Sequence, residues 1–390
     1  MPRKKRAANN TGSVYRRSDG RYGYSYTAPD GKQINRTAKT EAEAVQRLNA
    51  VIASMTRGEY VNPSAMTVEG WLCIWLEGYA PNTAKASTID TYRTTIENRL
   101  IPALGKYKLQ TLRVDTIQAL VNQQQKGAHK LAPSSIRREM SILKRALGQA
   151  VENQLITRNP ASAVKLPKIE QKEIKFLSTG ETAALLEALP MTTQGRAIRF
   201  ILGTGLRVSE LCGLRWCDLT AEGLNVNQTL YIVEGKRLSE EEYQGKRLVG
   251  TTPKTEAGRR FIPFNDKLSE IIAQQRHAQR LERMRAGDAW QGGEPCKGEQ
   301  FIFATACGTP TDRHNIARTL RSCFDRIGLE RRGPHALRHT FATRWVQSGK
   351  DPVTLSKILG HSNVAFTMKI YVHADNASKQ DGMNFMANLI

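Results

Sequence analysis

Between Pro334 and Tyr371 the chain sets several side chains suited to handling a phosphate ahead of one late tyrosine. The stretch reads Pro334-His335-Ala336-Leu337-Arg338-His339, an amphipathic run, Leu359-Gly360-His361, then Ile370-Tyr371-Val372-His373. On a helix, i,i+3 spacing sets His335 and Arg338 on one face, where a neutral imidazole and a guanidinium fork can share one phosphate. An imidazole takes up a proton near neutral pH, whereas a phenol with a pKa of roughly 10 releases one only with help. Tyr371 therefore needs cationic neighbours to act as a nucleophile.

Two further stretches offer such neighbours. In Gly203-Thr204-Gly205-Leu206-Arg207-Val208-Ser209-Glu210-Leu211 the glycines end one helix and let the chain turn sharply, so that Arg207 projects from the junction. Glu210, one turn on, can hold an arginine or cap the next helix. Asn225 to Glu234 reads as a strand, and Leu248 to Pro263 as a hairpin whose turn, Thr252 to Gly258, carries Lys254 where it can reach a leaving oxygen. Taken alone, an arginine beside a turn is usually structural and a lysine on a turn is usually solvated. No metal is expected: Cys296, Cys307 and His314 match no usual zinc spacing, and His335 with His339 lacks the glutamate of H-E-x-x-H.

The elements that must position these groups belong to a chain of 390 residues, which predicts two or three domains. Lys and Arg total 58 against 36 Asp and Glu, a net charge of +22, which favours a polyanionic partner, nucleic acid above all, over an ordinary metabolite. A basic surface serving solubility, or one held to anionic membrane, is the plainer reading. No apolar run approaches the roughly 18 residues of a membrane span, and no signal-peptide core follows the basic start, so a soluble intracellular protein without a membrane partner is expected. Cys73, Cys212, Cys217, Cys296, Cys307 and Cys323 show no C-x-x-C pair, which predicts reduced thiols.

Residues 1–10 carry four cations and no core formers and read as a disordered basic arm. Residues 11–62 read as three short strands with Asp19-Gly20 and Asp30-Gly31 turns, followed by a helix capped by Thr40 with Glu43 completing a capping box. Residues 1–60 hold 12 Lys/Arg and 5 Asp/Glu. Such a sheet can lie in the major groove, with Arg16, Arg17, Arg21 and Arg36 reaching bases and phosphates; a structural appendage is the alternative. Residues 66–164 read as an all-α bundle, with stripes such as Val68, Trp71, Leu72, Trp75 and Leu76, or Ile136, Met140, Leu143 and Leu147, forming core. Its polar helix starts, Lys85 with Ser87 and Thr88 and Ser134 with Ser135, Arg137 and Arg138, suit phosphates. After a linker, residues 175–390 form a mainly α unit with a small β-sheet, opened by a Ser178/Glu181 capping box. The run Gly235 to Gly250 and the charged helix from Ile271 to Arg285 carry no assignable chemistry.

Arg207 within Thr-Gly-Leu-Arg-Val-Ser-Glu-Leu, Lys254 on a hairpin, His335-x-x-Arg338, Leu-Gly-His361 and Tyr371, in that order, resemble the tyrosine recombinases, or phage integrase family. The likeness spans Thr67 to the end, and the three-stranded first domain looks like the arm-binding domain of integrases from conjugative transposons and some phages. The resemblance implies DNA strand exchange without metal, nucleotide or other cofactor. Arg207 and Arg338 would grip the scissile phosphate, His335 would act as base or hydrogen-bond partner, and His361 as a further donor. Lys254 would protonate the 5′ oxygen, Tyr371 would form a 3′-phosphotyrosine, and Glu210 would support the arginines. It also implies a bacterial, nucleoid-associated enzyme working as a homotetramer on core and arm DNA sites, with a small excisionase as partner and an apolar tail, Met383 to Ile390, docking on a neighbour or on its own domain. A type IB topoisomerase, a DNA-binding regulator with an unused catalytic shell, and a metal-dependent nuclease are the rival functions.

Overall fold

The structure is a computed structural model that describes residues 12–58, 60–126, 130–169, 176–235, 245–251, 258–293 and 300–360. The basic arm, Lys254, Cys296, His361, Tyr371 and the apolar tail lie outside them. The chain divides into two compact units, Met1–Glu170 and Gln171–Ile390.

The first unit opens with an antiparallel meander, β1 (Ser13–Arg16), β2 (Tyr22–Thr27) and β3 (Gln33–Ala38). At both expected turns an aspartate closes the bend: Asp19 Oδ1 accepts from the Arg21 amide and Asp30 Oδ1 from the Lys32 amide, each at 3.1 Å. Tyr24 and Tyr26 on β2 pack against Ala44 and Leu48 of α1 (Glu41–Thr56). Thr40 caps α1 by accepting from the Glu43 amide, but the capping box is only half made. The Glu43 carboxylate reaches the Lys39 amide, one residue before the cap, because Lys39 still offers an unpaired donor there.

A separate core follows in the same unit. α2 (Val68–Ile74) runs through a single wide turn (Trp75–Tyr79) into α3 (Ala80–Thr83), and α4 (Ala86–Thr95) through a second (Ile96–Leu100) into α5 (Ile101–Leu104). α6 (Val114–Gln124) and α7 (Pro133–Glu152) complete the bundle. The stripes read from sequence are its interior: Val68, Trp71, Leu72, Ile96, Ile117, Leu143 and Leu147 are buried. Burying an indole leaves its N–H in need of an acceptor, and Trp71 Nε1 finds the Ala146 carbonyl at 2.8 Å.

In the second unit, α8 (Thr179–Ala188) starts at the expected box, with Ser178 and Glu181 accepting each other's amides. Arg332 holds the same carboxylate and, with the Ser178 amide, draws the Glu181 pKa down to about 2. α9 (Thr193–Thr204) is the central helix, packed by α11 (Asp266–Ala286), α12 (Arg313–Arg326) and α13 (His335–Gln347) around Phe200, Phe303, Phe324 and Leu337. α10 (Val208–Cys212) and α14 (Pro352–Leu359) are short.

The strands differ from the sequence reading. The run from Asn225 to Glu234 is broken at Asn227-Gln228 into β4 (Gly223–Val226) and β5 (Thr229–Gly235), and the span 248–263 is not one hairpin. Its two strands, β6 (Gly245–Thr251) and β7 (Arg260–Pro263), take different partners: β6 pairs with β5 and β7 with β4. The break has local anchors, since Asn227 Nδ2 donates to Asp218 Oδ1 and Gln228 Nε2 to the Gly213 carbonyl, 3.0 and 2.6 Å.

Candidate active site

α9 ends at Gly205, whose φ of +68° only glycine adopts cheaply and whose amide donates to Ile201. A side chain is excluded there on a second count, because a Cβ would lie 2.5 Å from Phe341 Cδ1 and 2.7 Å from Leu359 Cδ2. Two residues on, Arg207 is the extended N-cap of α10, as the glycine pattern predicts. Glu210 fills both roles expected of it: Oε2 accepts from the Arg207 amide at 2.9 Å, and Oε1 accepts from Arg207 Nη1 at 2.7 Å.

Arg338 lies one turn into α13 and is buried, with 2% exposure. Its fork reaches two helix ends, Nη1 donating to the Gly205 carbonyl at 2.9 Å and Nη2 to the Leu359 carbonyl at 2.6 Å. His335, the first residue of α13, reaches the surface on the same helix face. Its ring meets His339 edge to face, 4.5 Å between centroids. Partial loss of hydration, then the charges of Arg338 and Arg207, push the His335 pKa below its ordinary 6.5. His335 is therefore a neutral imidazole at pH 7, able to accept a proton. Burial, then the neighbouring His335 and the charge of Arg338, drive His339 down to about 4. Burial and Arg207 bring Arg338 down to about 9, still cationic at neutral pH.

Arg260, on β7, is the site residue that the sequence reading missed. Its side chain is 5% exposed. Nη2 donates to Glu210 Oε2 at 2.8 Å, Nη1 to Glu210 Oε1 at 3.2 Å, and Nε to the Ile358 carbonyl. The signal was strand alternation, which sets Arg260 on the same side as buried Ile262.

Three successive carbonyls at the C-terminal end of α14 thus each take one guanidinium: Ile358 from Arg260, Leu359 from Arg338, and Gly360 from Arg207 Nη2 at 3.3 Å. Gly360 makes this geometry accessible by turning left-handed, φ +64°. The partial negative charge at a helix C-terminus suits such cations. Three guanidiniums face a single carboxylate, so the cluster carries an excess of two positive charges. Arg207, 36% exposed, presents that excess outward. Such an excess attracts an anion, and the neutral His335 shares a helix face with Arg338. His361 follows Gly360 directly in sequence but lies, with Lys254 and Tyr371, outside the described residues.

The expected DNA-contacting residues fall on several surfaces. Register pairs Arg16 with Tyr22 and Arg36 with Tyr24, so both arginines, though exposed, share the α1-facing side of the sheet. The opposite side carries exposed Tyr15 over Gly23, the Ser13–Ser25 hydroxyl pair, Asn35 and Thr37. Arg17 and Arg21 flank the first turn, 3.6 and 3.3 Å from Asp19. Lys85 and Arg138 are exposed, while Arg137 donates to the Pro167 carbonyl at 2.7 Å. Neither α4 nor α7 has a side-chain cap at its start. Among the described residues no group of three metal-ligating side chains converges, and no helix is long and apolar enough to cross a membrane.

Comparison with known proteins identifies the family. The phage integrase family matches residues 174–378, and the N-terminal SAM-like domain of phage integrases matches residues 67–124. A tyrosine recombinase XerC-like protein of Caldanaerobacter subterraneus subsp. tengcongensis is 26% identical over 373 residues, covering 92% of this chain and 93% of that protein. An integrase of Streptomyces ambofaciens is 26% identical over 352 residues, covering 88% and 86%. Among solved structures, the Tn1549 transposon integrase in complex with a circular intermediate DNA aligns at TM-score 0.65 and 21% identity, covering 82% of this chain and 99% of that one. A lambda integrase tetramer bound to a Holliday junction aligns at TM-score 0.60 and 19% identity, covering 95% and 96%. The chain belongs to the phage integrase family, and its activity is site-specific DNA recombination.

Proposed function

We propose that the chain is the integrase and excision enzyme of a mobile element of the conjugative-transposon kind, cleaving and rejoining DNA through a 3′-phosphotyrosine at Tyr371. The observation that carries the chemistry is the convergence of Arg207 and Arg338 on the end of α14, where two guanidiniums are in excess over carboxylate, with neutral His335 within reach of both their charges. A scissile phosphate placed there gains negative charge as it becomes pentacoordinate, and fixed guanidiniums stabilise that change at no cost of reorganisation. His335 accepts a proton or orients the phosphate, His361 donates to it, and Lys254 protonates the departing 5′ oxygen. Glu210 holds Arg207. The phosphotyrosine bond keeps the energy of the phosphodiester, so a 5′ hydroxyl of a partner strand reverses the step without ATP or metal.

Under the same proposal residues 1–10 are a basic arm, 11–62 bind arm-type sites, 66–164 bind core sites, 175–390 are the catalytic region, and four copies assemble on DNA in the bacterial cytoplasm. A small excisionase is the expected accessory partner. The +22 charge, and the solved integrases described in complex with DNA, support this reading. A supercoiled plasmid carrying two of the element's attachment sites tests it. Recombinant circles are expected, whereas relaxation without recombinants would point instead to a type IB topoisomerase.

A further inference from the structure

Arg260 has no step in the reaction proposed above, yet it joins three parts of the site. Its two Nη atoms meet both oxygens of Glu210 on α10, its Nε meets Ile358 at the end of α14, and its Nη1 also reaches the Gly258 carbonyl at 3.2 Å. Glu210, with a side chain 2% exposed, is too buried to stand unpaired. Burial opposes its ionisation, but the hydrogen bonds and charge of Arg260, then the charge of Arg207, outweigh that and hold its pKa below the ordinary value.

The two arginines share this carboxylate unequally. Arg260 grips it fork to fork, the geometry that guanidinium and carboxylate favour, while the Arg207 side chain commits one nitrogen, Nη1, beside its backbone amide. Arg207 is also the more exposed partner, and its other Nη turns to the Gly360 carbonyl. With Arg260 absent, Glu210 would draw the whole Arg207 fork onto itself and withdraw it from any anion.

We infer that Arg260 is a positioning residue: by occupying Glu210 it keeps Arg207 available to the scissile phosphate, and by holding Ile358 it fixes the helix end that leads into His361 and Tyr371. The inference rests on the proposed reaction. It accounts for a buried arginine at a site already rich in positive charge, where a neutral side chain would relieve repulsion. Lysine cannot replace it, because one ammonium cannot span both Glu210 oxygens and the Ile358 carbonyl in one plane.

The test is a double-mutant cycle on the full chain. Covalent-adduct formation on a nicked duplex carrying its own attachment site is timed under single turnover at saturating protein, beside the melting temperature of each variant. Arg260→Met is expected to slow the adduct about 100-fold, the scale of losing one charge-stabilising donor. Glu210→Gln, which removes a support of Arg207, is itself expected to slow the adduct by about tenfold. The double variant, with no carboxylate left to capture Arg207, should regain at least about tenfold over Arg260→Met while melting no higher. A purely structural Arg260 would give a double variant as slow as Arg260→Met or slower, and that result overturns the inference, as does an unimpaired Arg260→Met. Should Arg260→Met fail to fold, Arg260→Lys takes its place, with the same rescue by Glu210→Gln expected. If the parent protein itself forms no adduct, the catalytic reading falls and the inference with it, whereas an active parent with no rescue removes the inference alone.

Discussion

Arg338 Nη2 lies 2.6 Å from the carbonyl oxygen of Leu359, while Nη1 of the same fork lies 2.9 Å from that of Gly205. One buried guanidinium therefore bridges the ends of two helices, α9 and α14. Each of those ends is a left-handed glycine turn, and each adjoins a residue of the proposed reaction, Arg207 after one and His361 after the other.

Arg338→Lys tests that bridge. An ammonium keeps the charge but cannot face both carbonyls in the plane of the fork. Adduct formation should fall by at least about 100-fold, and stability by about 1–3 kcal/mol from a carbonyl left buried without a donor. Denaturant unfolding beside the adduct assay reads both, and a Lys variant within twofold of the parent in each would show the bridge to be dispensable.

Gly205→Ala should destabilise the second unit by about 2–4 kcal/mol, from left-handed strain together with overpacking. The added methyl would press on Phe341 and Leu359, so the helix ends that carry Arg207 and His361 should shift with it. Chemical denaturation measures the first effect. Loss of adduct under conditions where the variant remains folded measures the second.

Much of this region was readable before the fold. The glycines around Arg207, the i,i+3 pair His335 and Arg338, and the Ser178/Glu181 box are short-range patterns whose geometry is fixed within a turn or two of chain, and they occur where expected. For Arg260 alternation could give only its side of the strand; its partners Glu210 and Ile358 are 50 and 98 residues away, and only tertiary packing brings them to it. The pairing of β6 and β7 failed for a similar reason: turn-forming residues between two apolar runs read as a hairpin until the partners contributed by β4 and β5 are known. The arm sheet shows a third limit. Alternation alone does not say which side the helix covers, and the side holding Arg16 and Arg36 proved to be the one packed on α1.

His339 gives the site a pH dependence with a definite sign. Its folded pKa of about 4 lies below the ordinary 6.5, so the unfolded chain binds the proton more tightly. Protonation thus opposes folding, and stability is lost as pH falls from about 6.5 towards 4, by up to about 3 kcal/mol for this one group. Melting temperatures across that window should fall less steeply for His339→Phe than for the parent. Parallel curves would assign the acid sensitivity elsewhere.

The most direct test of the account is a covalent one. The protein is incubated in EDTA with a nicked suicide duplex bearing its own attachment site, and the products are run on a denaturing gel beside Tyr371→Phe. A slower, protease-sensitive band that is present for the parent and absent for the variant is the predicted result. A duplex that is bound yet yields no such band, or a band that persists in Tyr371→Phe, would contradict the phosphotyrosine route.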